Sequence, residues 1–263
     1  MNKIDLKFKE LKKKGKKAFI AFVTAGDPSL KVTEELVAAF ENSGVDMVEL
    51  GVPFSDPMAD GPTIQASSQR ALNNKVTLKK ILDAVSRIRR RTPIPLLLMM
   101  YYNSVLALGE EKFIKEAVRV GVDGVIVPDL PPEEAGSFIK AARKNNLATV
   151  FFLSPTTTAT RMKRIVKSAT GFIYYVSITG VTGTRQDLPT EILSAVQAAK
   201  RLTKIPICVG FGVSTPQQVK DIARVADGVI VGSAIVQKIF QNRGKRGLVR
   251  NVARFVSGLT KVL

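Results

Sequence analysis

The chain has 263 residues, of which 45% are hydrophobic and 24% charged, a composition typical of a folded globular protein. It has no histidine and one cysteine, which excludes histidine-based nucleophile triads, histidine metal sites and intrachain disulfides. The net charge of +18 leaves open a nucleic acid or another acidic ligand as partner. Aromatic residues do not alternate with the cations, however, as stacking on single-stranded bases would require.

The basic start of the chain, residues 1–16, predicts an N-terminal helix. It lacks the apolar stretch of a secretory signal. No apolar run approaches the roughly 18–20 residues that a membrane helix needs. We therefore expect a cytoplasmic protein.

Eight short apolar runs follow in chain order and predict buried parallel strands. They occupy residues 17–25, 45–51, 94–102, 122–129, 148–154, 171–177, 205–212 and 226–232. Each is rich in Val, Ile, Leu or Phe, as strands covered on both faces are.

Amphipathic segments between these runs predict helices. Gly44 and Gly121 are expected to end two of them, and Thr158 and Thr215 to begin two more. Eight strand–helix units in one domain, residues 1–263, predict a (β/α)8 TIM barrel, whose site lies at the C-terminal ends of the strands. A doubly wound open sheet is the alternative, but its G-x-G-x-x-G fingerprint is absent.

Acidic residues gather after the second predicted strand. Strand alternation turns Glu49 toward the barrel axis, where an unpaired carboxylate is costly as mere packing. Asp56 and Asp60 follow in residues 55–72, a stretch that predicts a long loop acting as a lid or facing a partner. Either aspartate alone could make ordinary turn contacts. The three acids together favour a reaction site.

Glycines follow the last three predicted strands, and two of these turns lead into helices. They are Gly180 and Gly183, Gly210 and Gly212, and Gly232 with Ser233. Helix N-termini offer free N–H groups to anions, and the loops after strands seven and eight are the recurrent phosphate site of this barrel class. The pattern predicts a phosphorylated ligand.

Apolar side chains are expected around the same mouth. Alternation places together Met99, Tyr101 and Asn103 on one strand and Phe172, Tyr174 and Val176 on another, with Phe22 and Phe211 nearby. A substrate with a flat hydrophobic part and a phosphorylated tail would fit such a pocket.

Seven motifs carry a resemblance to a known family. They are FVTAGDP at 22–28, VELGVPFSDPMADGPTIQASSQRAL at 48–72, MMYYN at 99–103, VPDLPPEE at 127–134, GVTGTR at 180–185, GFGVS at 210–214 and GSAIV at 232–236. Over essentially its whole length the chain is similar to the tryptophan synthase α-subunit family. It departs modestly at residues 178–179, where some members carry Arg–Ala.

The resemblance implies a lyase that cleaves indole-3-glycerol phosphate to indole and glyceraldehyde 3-phosphate by a retro-aldol reaction. Its catalytic residues correspond to Glu49, Asp60 and Tyr174, the last chosen over Tyr175 by spacing and by inward alternation. The phosphate would bind at Gly183, Gly212, Gly232 and Ser233. The indole would lie among Phe22, Ile64, Met99, Tyr101, Ile126 and Phe211. Thr182 would belong to a lid, and Pro53, Asp56 and Asn103 to a partner interface.

The resemblance also implies no cofactor or metal on this chain, and an α2β2 assembly with a β-subunit that carries pyridoxal phosphate. Three alternatives stay open at the level of sequence. One is a stand-alone lyase that needs no β-subunit. Another is a different phosphate-binding barrel, such as a phosphosugar isomerase or aldolase, although no predicted strand ends in the lysine of a Schiff-base aldolase. The third is a basic nucleic-acid-binding protein.

Overall fold

The computed structural model describes residues 1–176, 190–210 and 212–263, except for the side chains of residues 190 and 191. Eight parallel strands close into a barrel in sequence order, with β8 paired to β1. They are Ala18–Thr24 (β1), Met47–Gly51 (β2), Leu96–Met99 (β3), Gly124–Ile126 (β4), Ala148–Leu153 (β5), Ile173–Val176 (β6), Ile207–Gly210 (β7) and Gly228–Val231 (β8). The predicted (β/α)8 TIM barrel is confirmed.

Helices precede the barrel and surround it. They are Lys3–Lys13 (α1), Leu30–Glu41 (α2), Pro62–Asn73 (α3), Leu78–Arg89 (α4), Tyr102–Leu108 (α5), Glu110–Val120 (α6), Gly136–Lys144 (α7), Ala159–Ser168 (α8), Thr190–Leu202 (α9), Pro216–Ala223 (α10), Ser233–Gln241 (α11) and Leu248–Thr260 (α12). Strands two, three and eight are each followed by two helices: α3 with α4, α5 with α6 and α11 with α12.

Strand alternation divides the apolar residues into two cores. Met47 lies in the barrel interior, whereas Val48 and Leu50 pack in the layer between strands and helices, as the sequence predicts. Helix α1 closes the lower, N-terminal end of the barrel. Its Phe8 packs on Phe172 of β6 with ring centroids 6.0 Å apart. Side chains therefore fill the barrel interior, and its upper, C-terminal end faces solvent.

A repeated pair of hydrogen bonds ties each even-numbered strand to the strand before it. In each case a residue just before the even-numbered strand donates its backbone N–H to the carbonyl of a residue on the odd-numbered strand. The side-chain oxygen of the first residue accepts the backbone N–H of the second. The pairs are Asp46 with Phe19, Asp123 with Leu96, Thr170 with Thr149 and Asp227 with Ile207, all at 2.8–3.0 Å. We call the first member of each pair a clamp residue. The clamps satisfy N–H groups at the lower rim that have no strand partner there.

The helix boundaries agree with the predicted caps at three positions of four. Gly121 ends α6 in the left-handed region, with φ of 99°, and Thr158 and Thr215 cap α8 and α10. The prediction for Gly44 is wrong, because α2 ends at Glu41 and Gly44, with φ of 81°, belongs to the following turn.

The prediction of a long loop over residues 55–72 is also wrong, because the second half of this stretch forms helix α3. Pro62 occupies the first turn, where a missing N–H costs nothing. The buried face consists of the small residues Ser67, Ser68 and Ala71, so it gives little hydrophobic periodicity in the sequence. The Ser67 hydroxyl lies 2.6 Å from the Thr24 hydroxyl, which fastens the helix to β1.

Candidate active site

The upper, C-terminal end of the barrel holds a cleft of about 830 Å³. Its volume lies in the range of small-molecule sites, roughly 300–1,000 Å³. Apolar side chains line one part of it: Phe22, Ile64, Met99, Phe152, Tyr174, Val176 and Ile230. Asp60 and the N-terminal residues of helices α3 and α11 contribute to the rest of the wall. The cleft therefore offers a ring-sized apolar wall beside a polar end.

Glu49 lies beneath the floor of this cleft. It occupies β2 between Phe22 of β1 and Leu97 of β3, and its side chain has no exposed surface. Neither carboxylate oxygen has a hydrogen-bond partner among the described residues. Burial raises the pKa of this carboxyl from an ordinary 4.5 to about 8. A group that holds a proton at neutral pH and can also release it suits general acid–base catalysis.

Two glycines make room for the aromatic rings around Glu49. A Cβ on Gly51 would lie 2.5 Å from the Phe22 ring, and a Cβ on Gly210 would lie 2.4 Å from the Tyr174 hydroxyl. Both glycines end strands that contribute to the site, so any larger residue there would displace a ring of the cleft.

Tyr174 lies in the cleft wall, whereas Tyr175 packs in the outer core. Burial raises the pKa of the Tyr174 hydroxyl well above its ordinary value, and the nearby charge of Glu49 raises it further. The hydroxyl therefore stays protonated and can donate a hydrogen bond. The Tyr174 ring tilts against Phe152, with centroids 5.0 Å apart.

Asp60 reaches the cleft from the loop between β2 and α3 and is held there by Tyr101. The Tyr101 hydroxyl donates to Asp60 Oδ2 at 3.1 Å and accepts from the Ala59 N–H at 2.9 Å. The Tyr101 ring stacks on Phe54, with centroids 5.0 Å apart. Burial raises the pKa of Asp60, and the hydrogen bond from Tyr101 lowers it in part.

The polar end of the cleft is formed by the loop after β7 and by the N-terminus of α11. Gly232 is the N-cap of α11 and provides no side-chain hydrogen bond, so the first-turn N–H groups at Ser233 and Ala234 are open to a ligand. Gly212, with φ of 52°, adopts a left-handed conformation that favours glycine. A helix N-terminus of this kind attracts anions such as phosphate.

The structure brings most of the sequence-predicted site residues to this cleft. Those in its wall are Phe22, Asp60, Ile64, Met99, Tyr174, Gly212, Gly232 and Ser233. Gly183, Thr182 and Phe211 lie outside the described residues. Ile126 and Tyr101 are not in the wall: Ile126 is fully buried in the interior core, and Tyr101 lies behind Asp60.

Sequence reasoning missed two contributors to the cleft wall, Phe152 near the end of β5 and Ser154 just after it. Both follow the rule that strand ends form the site, since they lie at the end of an apolar run. Phe152 shares the alternating face of Val150, which is in the interior core. That rule, applied to the fifth run, would have found them.

The residues expected at a partner interface divide into exposed and buried positions. Asp56 and Asn103 are exposed, whereas Pro53 is buried within the chain. The alternation that grouped Asn103 with Met99 does not apply, because β3 ends at Met99 and Asn103 belongs to α5. Two apolar side chains are also exposed on these elements: Met58 at 91% and Leu106 at 55%.

Two negative findings apply to residues 1–176, 190–210 and 212–263. They contain no group of three or more Cys, Asp or Glu side chains arranged to hold a metal ion. None of their helices combines the length and apolar character needed to cross a membrane.

Comparison with known proteins assigns the chain to a family. The tryptophan synthase alpha chain family model matches residues 8–262. The alpha chain of Geotalea daltonii is 50% identical over 259 residues, which cover 98% of each chain. That of Geobacter sulfurreducens is 50% identical over 263 residues, covering 100% of this chain and 99% of its own.

Solved structures agree with the sequence relatives. The alpha subunit of Legionella pneumophila superposes with a TM-score of 0.93 at 36% identity, covering 100% of this chain and 98% of its own. The α2β2 complex of Pyrococcus furiosus contains a chain with a TM-score of 0.87 at 39% identity, covering 92% and 97%. The family match, the identities and the shared barrel agree over nearly the whole length, and the chain belongs to the tryptophan synthase alpha chain family.

Proposed function

We propose that this chain cleaves indole-3-glycerol phosphate to indole and glyceraldehyde 3-phosphate in tryptophan biosynthesis. The observation that carries the proposal is the buried, unpaired Glu49 carboxyl beneath a cleft that has an apolar wall and an anion-binding end. We place the protein in the cytoplasm. The chemistry requires no cofactor on this chain, because carboxyl groups can perform both proton transfers.

Glu49 is the proposed acid and base. Its protonated carboxyl donates to C3 of the indole ring, which makes the ring an electron acceptor. The resulting carboxylate then removes the proton from the hydroxyl on the carbon attached to C3. A carbonyl forms there, the carbon–carbon bond breaks, and its electron pair returns to the ring. The pKa of about 8 suits both the donation and the removal near neutral pH.

Glu49 is closed off from the cleft in this structure, because its side chain has no exposed surface. Phe22, its register partner on β1, and Tyr174, whose hydroxyl interacts with the Glu49 charge, both line the cleft. Turnover therefore requires the Glu49 side chain to rotate toward the substrate or the neighbouring rings to shift. Tyr174, which stays protonated, would donate a hydrogen bond to the substrate or to the exposed carboxylate.

Asp60 is the proposed partner of the indole N–H. Protonation at C3 places positive charge on the ring nitrogen, and a carboxylate that accepts from this N–H stabilises that charge where it develops. The Tyr101 hydrogen bond favours the ionised form of Asp60, which this role needs.

The glycerol phosphate tail would extend to the loop after β7 and to the N-terminus of α11. Gly212, Gly232 and Ser233 lie in that part of the wall. Backbone N–H groups there would bind the phosphate without a charged side chain. The apolar wall of Phe22, Ile64 and Met99 would hold the indole at the other end.

We further propose that the chain acts with a β-subunit, which would carry pyridoxal phosphate. The structures of relatives in α2β2 complexes support this proposal. The exposed side chains of Met58 and Leu106 support it too, since apolar residues exposed near a site often mark an interface.

The test is indole release from indole-3-glycerol phosphate by the purified chain, with and without a β-subunit. The wild-type chain is compared with Glu49→Gln and with Glu41→Gln, an exposed position at the end of α2. We expect release that rises with the β-subunit, no measurable release from Glu49→Gln, and normal release from Glu41→Gln. Fast release without the β-subunit would favour a stand-alone lyase. Near-normal turnover by Glu49→Gln would refute the role of Glu49.

A further inference from the structure

We propose that a second cavity, at the lower end of the barrel, binds a small amphipathic anion with a flat apolar body and two or more anionic groups. The cavity has a volume of about 720 Å³, again in the range of small-molecule sites. It lies between helix α1 and the chain segments that lead into β1, β6, β7 and β8. The proposed active site lies at the opposite end, so the inference is independent of the lyase activity.

The rim of this cavity is cationic. Its lysines are Lys9, Lys12, Lys16, Lys17 and Lys204. Asp227 neutralises part of this charge, because its Oδ1 lies 3.7 Å from Lys17 Nζ and 2.8 Å from Lys200 Nζ.

The other four rim lysines form no ion pair with a described residue, although several other surface cations do. Lys9 Nζ lies 3.2 Å from the Met1 sulfur, and its charge partly offsets the rise that burial causes in the pKa of Asp5. Asp5 is the remaining acid in the wall, one turn before Lys9 on α1. The surplus of positive charge favours an anion that binds on the side of the lysines, away from Asp5.

The floor of the cavity is apolar. Phe8 and Leu11 of α1 form one side, and Ile205 and Pro206, just before β7, form the other. A simple inorganic anion would contact the lysines and leave this floor in water. An aromatic or alicyclic ligand with carboxylate, sulfate or phosphate groups would cover the floor and pair with the lysines together.

Binding would also fasten α1 to the barrel. Phe8 contributes to the cavity wall and packs on Phe172 inside the barrel. A ligand that contacts both α1 and the start of β7 would favour the docked helix, because it binds the folded arrangement alone. We therefore expect the ligand to raise the melting temperature as well as to bind.

The probe is pyrene-1,3,6,8-tetrasulfonate, a flat aromatic tetra-anion whose binding is followed by its fluorescence. Binding is measured without and then with excess glycerol 3-phosphate, which would occupy the upper cleft. The test variant is Lys12→Gln/Lys16→Gln, and the matched control is Lys79→Gln/Lys163→Gln, two exposed lysines on α4 and α8 that lower the net charge equally. Sodium sulfate tests charge without an apolar body.

We expect the test variant to bind the probe about tenfold more weakly, equivalent to about 1.4 kcal/mol, and the control to bind nearly as wild type. Amide NMR shifts on adding the probe should cluster on α1 and residues 169–171 and 204–206. Sulfate should compete poorly. Equal weakening in both variants, displacement by glycerol 3-phosphate, shifts confined to the upper cleft, or no binding would each overturn the proposal.

Discussion

The Tyr101 hydroxyl donates a hydrogen bond to Asp60 Oδ2 at 3.1 Å while it accepts one from the Ala59 N–H at 2.9 Å. One phenol thus fixes both the backbone and the carboxylate at the tip of the loop between β2 and α3. Tyr101 is buried behind this loop and lies outside the cleft wall. It is therefore a positioning residue for Asp60 in the proposed reaction.

Replacing Tyr101 by Phe should lower kcat/KM for indole release about tenfold. A hydrogen bond to a charged group contributes about 1.5–3 kcal/mol, and part of that would be recovered by water. Loss of the donor should also raise the pKa of Asp60, so the acidic limb of the pH–rate profile should move to higher pH.

Tyr102→Phe is the matched control for this change. It removes the same hydroxyl from the next residue, where the hydroxyl donates to Glu110 of α6 at 2.5 Å. We expect its pH profile to match that of the wild type. An unshifted profile for Tyr101→Phe, with kcat/KM unchanged, would remove Tyr101 from the mechanism.

The barrel and the inward position of Glu49 could be predicted because both depend on local patterns. Apolar runs define the strands, and period-two alternation then decides which side chains face the axis. The hydrogen bond of Tyr101 could not be predicted in this way. It depends on how the loop carrying Asp60 folds back over the end of β3, which no repeating pattern in the sequence encodes.

The sequence pattern failed to predict helix α3 for a related reason. Its buried face is made of Ser67, Ser68 and Ala71, and its polar atoms are satisfied by tertiary contacts such as the one from Ser67 to Thr24. Hydrophobic periodicity measures only apolar burial. A helix that packs through small polar residues therefore gives the pattern of a loop.

Glu49→Gln should stabilise the free chain increasingly as pH rises. Burial raises the folded pKa of Glu49 to about 8, whereas the unfolded carboxyl ionises near its ordinary 4.5. Between these values the folded state holds a proton that the unfolded state has lost. The unfolding free energy of the wild type should thus fall by about 1.4 kcal/mol for each pH unit in that window. The amide of Gln has no proton to lose there.

Denaturant unfolding from about pH 5 to about pH 9 measures this difference. The wild type and Glu49→Gln should diverge across the window and run parallel above it. Glu41→Gln, at an exposed carboxyl, should follow the wild type throughout. A difference in unfolding free energy between wild type and Glu49→Gln that is the same at every pH would show that the Glu49 pKa is not raised.

Asp46→Ala tests the clamps of the lower rim. The Asp46 carboxylate accepts the Phe19 N–H at 2.9 Å, and its removal leaves that donor without this partner. We expect a loss of about 1–3 kcal/mol in unfolding free energy. For a domain of this size each kcal/mol corresponds to about 2–4 °C in melting temperature.

Asp83→Ala on α4 serves as the control, because Asp83 is exposed and outside the clamps. Its melting temperature should match the wild type. The catalytic rate of folded Asp46→Ala should be nearly normal, because the clamp lies at the opposite end of the barrel from the cleft. An Asp46→Ala protein as stable as Asp83→Ala would mean that the clamp adds no net stability.

Met58→Asp should weaken the response to a β-subunit. Met58 is 91% exposed between Asp56 and Asp60, and Leu106 on α5 is 55% exposed, so both present apolar surface to solvent. Burial of such side chains contributes about 1.5–3 kcal/mol each, and a charge in their place opposes association. Titration of indole release with the β-subunit should show half-activation at a concentration about tenfold higher or more. Activity without the β-subunit should change much less.

Leu6→Asp, at a 50% exposed position on α1 at the opposite end of the barrel, should titrate as the wild type. If Met58→Asp and Leu106→Asp also titrate as the wild type, the β-subunit binds elsewhere on the chain.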